Sequence, residues 1–148
     1  MPSGTEESLY IDAPPAEVLD VVADVELYPE WSGDMTSATV LTEDEGWPQQ
    51  VEFTVDAGVI KDTYVLDYTW DVDEDGVGEV TWQLVRSAKL RGLDGAYVLT
   101  PEGEGTRVTY RLTVDLAVPL PGVVRRKAEK TIVTTALSGL RRRVESAA

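Results

Sequence analysis

From Met35 onward apolar and polar positions alternate with a period of two, and that alternation predicts most of the fold. Thr36 to Leu41 reads as one strand. Val51, Phe53 and Val55 then alternate with Glu52, Thr54 and Asp56, the pattern of a strand buried on one face. Ile60, Asp62, Tyr64, Leu66, Tyr68 and Trp70 share a face of a longer strand, and Val80, Trp82 and Leu84 a face of the next. Leu93, Tyr97 and Leu99 define another, and Val108, Tyr110, Leu112, Val114 and Leu116 the last. Turn chemistry separates these runs at Glu43–Gly46, Ala57-Gly58, Asp71–Gly78, Ser87–Leu90 and Pro101–Gly105. Short connections between successive strands predict an antiparallel meander.

The period changes at both ends of the chain. Ser8–Asp12 reads as a first strand. Two prolines in a first turn, an early Glu17 and apolar Val18, Leu19 and Val22 then predict a short helix to Ala23. Asp24–Glu30 continues as a second short helix or turn, interrupted at Pro29 and ended by Trp31, with Ser32-Gly33-Asp34 as a loop. Pro121–Val144 predicts a long C-terminal helix. Ile132, Val133, Ala136, Leu137, Leu140 and Val144 form one apolar stripe on it, opposite Lys127, Lys130, Arg141 and Arg142. Such a helix needs an apolar surface to lie on, and the sheet supplies one. The expected fold class is α+β: a curved antiparallel seven-stranded sheet (strand, two helices, six strands, helix) wrapped on the long helix, with residues 1–148 as a single domain.

Composition narrows the chemistry. The 148 residues contain no histidine and no cysteine. Ser-His-Asp and Cys-His catalysis and Cys/His zinc sites are therefore excluded, and acid–base work falls to Asp, Glu, Tyr or Lys. No cofactor or metal site is expected. The net charge of −14 is uneven: residues 121–148 carry a net +5 and residues 1–120 a net −19. The acidic body argues against nucleic acid as a partner. The basic helix either complements that body or meets an anionic membrane or partner. No run of apolar residues is long enough for an integral membrane segment, and Met1–Ser8 does not read as a secretory signal, so a cytoplasmic location is the default expectation.

Four stretches, in this order, resemble the START/Bet v 1-like (SRPBCC, helix-grip) superfamily, in its polyketide cyclase/dehydrase or coenzyme Q-binding-like branch. They are Ile11–Val18, Asp24–Trp31 with its Tyr-Pro-x-aromatic core, Gly105–Tyr110, and Pro119–Gly122 before the final helix. The resemblance implies a hydrophobic pocket between sheet and helix, with functions from lipid or quinone carriage to aromatic cyclisation. It carries over no fixed catalytic set.

Parity on the strands and helix places Phe53, Tyr64, Tyr68, Trp82, Leu93 and Tyr97, with Ile132, Val133, Ala136 and Leu140, around the expected small hydrophobic ligand. Their richness in tyrosine and tryptophan suits a pocket with polar handles; a dry core is the other reading. If the turn centres on Ser87–Leu90, Arg86 pairs with Arg91 on the same face as Trp82 and Leu93, where two guanidinium groups would clamp a carboxylate or polarise a ketone. The alternative leaves both in solvent. Glu129, on the apolar side of the helix, either meets the cavity with a proton to give or pairs with Arg125. For a cyclase or dehydratase, Arg91, Glu129 and Tyr64, with Tyr97 as an alternative to Tyr64, are the catalytic candidates. Asp71–Gly76 begins like a calcium loop, but Trp82 stands where a bidentate Glu is needed, so an acidic hairpin turn is expected. Tyr28–Trp31 reads equally as a lid or as packing under the sheet edge. A ligand binder, an enzyme and a partner-binding module all remain open on these residues.

Overall fold

The computed structural model describes residues 4–33, 35–57, 60–117 and 120–146. The chain forms β1 (Thr5–Ile11), α1 (Pro15–Ala23), a 3-10 turn (Val25–Leu27), α2 (Tyr28–Trp31), β2 (Met35–Asp44), β3 (Trp47–Ala57), β4 (Ile60–Val72), β5 (Gly78–Ser87), β6 (Leu90–Glu102), β7 (Gly105–Leu116) and α3 (Gly122–Ser146). The seven strands make one antiparallel sheet in the order β1-β7-β6-β5-β4-β3-β2. It is the meander that the alternation predicts, with β1 returned to the far edge beside β7. Met1–Ser3, Asp34 of the expected loop, Gly58 of the Ala57-Gly58 turn, Pro119 and the side chain of Ile60 lie outside the described residues.

Pro29 does not interrupt a helix, as the sequence suggested. It sits in the first turn of α2, where its missing N–H costs nothing. At the other turn of the β1–α1 corner, the buried Thr106 hydroxyl donates to the Ala13 carbonyl at 2.8 Å. This bond ties the Gly105–Tyr110 stretch to the Ile11–Val18 stretch. The acidic turn after β4 is a hairpin. The Asp73 carboxylate accepts the N–H groups of Asp75 and Val77, and Gly76 takes a positive φ of 85°.

α3 lies across one face of the sheet and buries Val133, Ala136, Leu137, Leu140 and Val144 against it. Gly139 sits directly against the backbone carbonyl of Trp31, so that even a methyl group would overlap it. This close approach lets α2 lie on the helix. Among the described residues no helix is long and apolar enough to cross a membrane.

Candidate functional site: a tyrosine-lined cavity

Between the sheet and α3 lies a cavity of about 70 Å³. Its walls come from α2, from α3 and from six strands. Tyr28 and Trp31 of α2 close one side, with Ser32 and Met35 just beyond, and Ile132 and Ala136 of α3 form the roof. The floor is set by cross-strand pairing, which puts Phe53 opposite Tyr64, Tyr68 opposite Trp82 and Tyr97 opposite Tyr110. Among the described residues no charged side chain lines it.

The rings touch in an unbroken series. Phe53 lies 6.0 Å from Tyr64 and 6.3 Å from Tyr68, Tyr68 lies 5.6 Å from Trp82, and Tyr110 lies 5.5 Å from Trp82 and 4.7 Å from Tyr97. Gly95, paired with Trp82, leaves the space that the indole ring occupies; a Cβ there would overlap it. Tyr28 stacks on Phe53 at 5.9 Å.

The five tyrosines differ in what their hydroxyls do. Tyr28 donates to the Val22 carbonyl and also faces the Tyr68 hydroxyl. Tyr64, Tyr97 and Tyr110 are buried residues that open on the cavity, and among the described residues nothing hydrogen-bonds to their hydroxyls. Burial pushes all five phenols above their ordinary range. Neighbouring tyrosines add to this for Tyr28, Tyr64, Tyr68 and Tyr97, with Tyr110 the largest such neighbour of the last three. Protonated, these groups can donate a hydrogen bond but do not serve as bases.

Of the residues expected around a ligand, Phe53, Tyr64, Tyr68, Trp82, Leu93, Tyr97, Ile132 and Ala136 line the cavity. Val133 and Leu140 are buried beside it without lining it. Arg86 and Arg91 stand outside, and a register break in each strand is the reason. The ladder from β4 pairs Leu66 with Leu84 and Val65 with Arg86, so Val85 bulges and Arg86 turns to the outer face. On β6, Leu90 pairs with Leu116 and Gly92 with Asp115, which leaves Arg91 as an extra residue; it reaches Asp115 at 3.4 Å in solvent. No clamp forms. Glu129 is fully buried but does not line the cavity. Its carboxylate accepts the Thr5 hydroxyl at 3.0 Å and the Val114 N–H at 2.8 Å. Of the two roles offered for it, the proton-giving one at the cavity is set aside: its oxygens accept from β1 and β7.

The expected set misses Tyr110, Tyr28, Trp31 and Met35, among others. Tyr110 was within reach of the pattern, for it shares a face with Val108 and Leu112 and falls opposite Tyr97. The same strand-end positions that bulge also explain Asp62. It is buried where Ile60–Trp70 parity puts it, and it accepts the Ser87 hydroxyl and the Thr63 N–H, closing the β5–β6 turn.

A long helix laid on a seven-stranded antiparallel sheet, with an apolar cavity between them, defines a helix-grip fold. The chain belongs to the family described as polyketide cyclase/dehydrase and lipid transport, which it matches over residues 11–141. Among solved structures it is similar to a START superfamily protein from Mycobacterium smegmatis (TM-score 0.89, 18% identity, 98% of this chain and 99% of that one). A Thermus thermophilus protein is similar at TM-score 0.83 and 26% identity over 99% of both chains. An aromatase/cyclase from a Streptomyces species is similar at TM-score 0.78 and 17% identity, over 98% of this chain and 94% of that one. No curated protein sequence matches the chain.

Proposed function

We propose that this protein binds one small, neutral hydrophobic molecule, lipidic, quinone-like or aromatic, that offers hydrogen-bond acceptors to the tyrosines of the cavity. The observation that carries this reading is the trio of Tyr64, Tyr97 and Tyr110, buried donors without protein partners in an otherwise apolar, uncharged space. Their hydroxyls open on the cavity, so an acceptor on a ligand gives each a partner that the protein does not, worth on the order of 1 kcal/mol apiece. A carboxylate or ammonium ligand would meet no opposite charge and would lose its hydration. The cavity of about 70 Å³ is smaller than the roughly 300–1,000 Å³ of ordinary ligand pockets. A ligand therefore enters by displacing part of the wall. The four-residue α2 with Met35 is the wall that yields in this reading, because among the described residues a largely exposed Arg143–Glu30 ion pair and close packing at Gly139 hold α2 on α3.

Native mass spectrometry of freshly purified protein, with extraction of whatever is bound, tests the proposal. A stoichiometric neutral hydrophobic adduct is the expected result. A clean mass, together with no binding across lipids, quinones and polyphenols, would overturn it.

The same phenols support a second reading. Protonated, desolvated donors converging on one space can polarise a carbonyl and stabilise an enolate, which is the demand of a cyclase or dehydratase. In this reading the candidates Tyr64 and Tyr97, which line the cavity, supply the donors. Incubation with a reactive poly-β-keto thioester, followed by analysis of ring pattern against the spontaneous products, tests turnover; an unchanged product distribution would leave binding alone.

A further inference from the structure

The meander sorts charge by end. The hairpin turns β2–β3, β4–β5 and β6–β7 all lie at one end of the sheet. Their segments 43–48, 71–79 and 101–105 hold ten carboxylates and no basic residue. The β5–β6 turn and the start of α3 lie at the opposite end. Residues 86–91 carry three basic side chains and no acidic one, and residues 120–130 carry four basic side chains against one carboxylate, the buried Glu129. The two parts are joined, since the Ala117 N–H donates to the Lys89 carbonyl at 2.9 Å. Arg86, Lys89, Arg126, Lys127 and Lys130 are exposed there. Among them stands Val123, an apolar side chain 69% exposed on the first turn of α3.

We infer that this basic end is a docking surface for an anionic lipid bilayer, with Val123 entering the headgroup region. Charge complementarity selects an anionic partner. The isolated apolar residue among lysines and arginines selects a bilayer over an acidic protein, since an interfacial helix combines those two features. The acidic turns do not forbid the approach. They stand at the far end of strands of 10 to 13 residues, well beyond the Debye length of about 8 Å at physiological salt. A bilayer's negative surface therefore orients the molecule with its acidic end away. The cavity reaches toward the docked end, because Leu90, which opens β6, and Val114 near the end of β7 both line it.

Flotation of the full chain with phosphatidylcholine vesicles, with and without phosphatidylglycerol, tests this. Binding is expected only to the anionic vesicles, and it should weaken steeply with added salt. The Lys127→Glu/Lys130→Glu variant should lose on the order of fivefold in partitioning for each basic residue removed. Val123→Asp should lose binding as well, while Arg142→Glu, at the far end of α3, should float like the native protein. Thermal melts of each variant separate loss of binding from loss of fold. No binding to anionic vesicles at low salt, equal binding to neutral ones, or equal loss in Arg142→Glu would overturn the inference. So would binding to a polyglutamate peptide without binding to vesicles, which would give the surface to an acidic protein.

Discussion

Val114, near the end of β7, donates its backbone N–H to the Glu129 carboxylate of α3 at 2.8 Å, and this bond joins the helix to the sheet. Val114 lies two residues beyond Leu112, which pairs with Thr5 on β1. Glu129 accepts there from the backbone of β7, and the Thr5 hydroxyl satisfies its other oxygen. A carboxylate on the apolar side of a ligand-grip helix suggests catalysis; its partners here make it structural. Glu129→Gln keeps the size but turns one acceptor into a donor facing an N–H or O–H. We expect a loss of about 1–3 kcal/mol in urea denaturation, with ligand affinity unchanged in the folded variant. A large loss of affinity with stability intact would return Glu129 to the site.

The tyrosine hydroxyls separate into two kinds, and substitution distinguishes them. Tyr64→Phe, Tyr97→Phe and Tyr110→Phe remove hydroxyls without protein acceptors, so stability should hold or rise. Ligand affinity should fall about two- to tenfold for each hydroxyl the ligand engages. Tyr28→Phe instead loses the bond to the Val22 carbonyl and should cost on the order of 1 kcal/mol of stability. Calorimetric titration beside thermal melting reads both. Loss of stability in all four alike would argue for a dry core.

The sheet and the helix were legible because one face of each is buried. Phe53, Tyr64, Tyr68, Trp82 and Tyr97 follow from period two, and Ile132 and Ala136 from period 3.6. What parity cannot carry is a break in parity. Val85 and Arg91 each insert one residue into a ladder, and nothing in their side chains announces it, so Arg86 and Arg91 fall on the wrong face of a correctly counted strand. Tyr28 and Trp31, which the sequence left open between a lid and edge packing, were undecided for another reason. Their place in the wall depends on Gly139 letting α2 close on α3, a contact between residues 108 positions apart. Local pattern does not encode such a contact.

Because both bulges turn them away from it, the arginines are dispensable to the cavity. Arg91 and Asp115 form an ion pair with both side chains more than half exposed, a geometry that contributes little. Arg91→Ala and Arg86→Ala should each change stability by less than about 0.5 kcal/mol and leave the affinity for a neutral ligand unchanged. A tenfold loss with either variant would mean that a guanidinium group swings into the cavity on binding.

Alkali should unfold the protein through its phenols. The native values of Tyr28, Tyr64, Tyr68, Tyr97 and Tyr110 are raised above the ordinary value of 10.0, chiefly by burial. Below that pH the phenols are protonated in both the native and unfolded chains, and they contribute no pH dependence. Above it the unfolded chain releases protons that the native chain retains, so stability falls as pH rises, by about 1.4 kcal/mol per pH unit for each phenol held protonated. In a Tyr10→Phe background, which leaves the five cavity phenols as the only tyrosines, absorbance of phenolate and far-ultraviolet circular dichroism should therefore change together, in one cooperative step above pH 10. A bound ligand that accepts from Tyr64, Tyr97 or Tyr110 should move that step to higher pH, because it binds only the protonated native form. Phenolate appearing well before the loss of secondary structure would show that the five rings are reached by water in the folded protein, and the donor role proposed for them would fall.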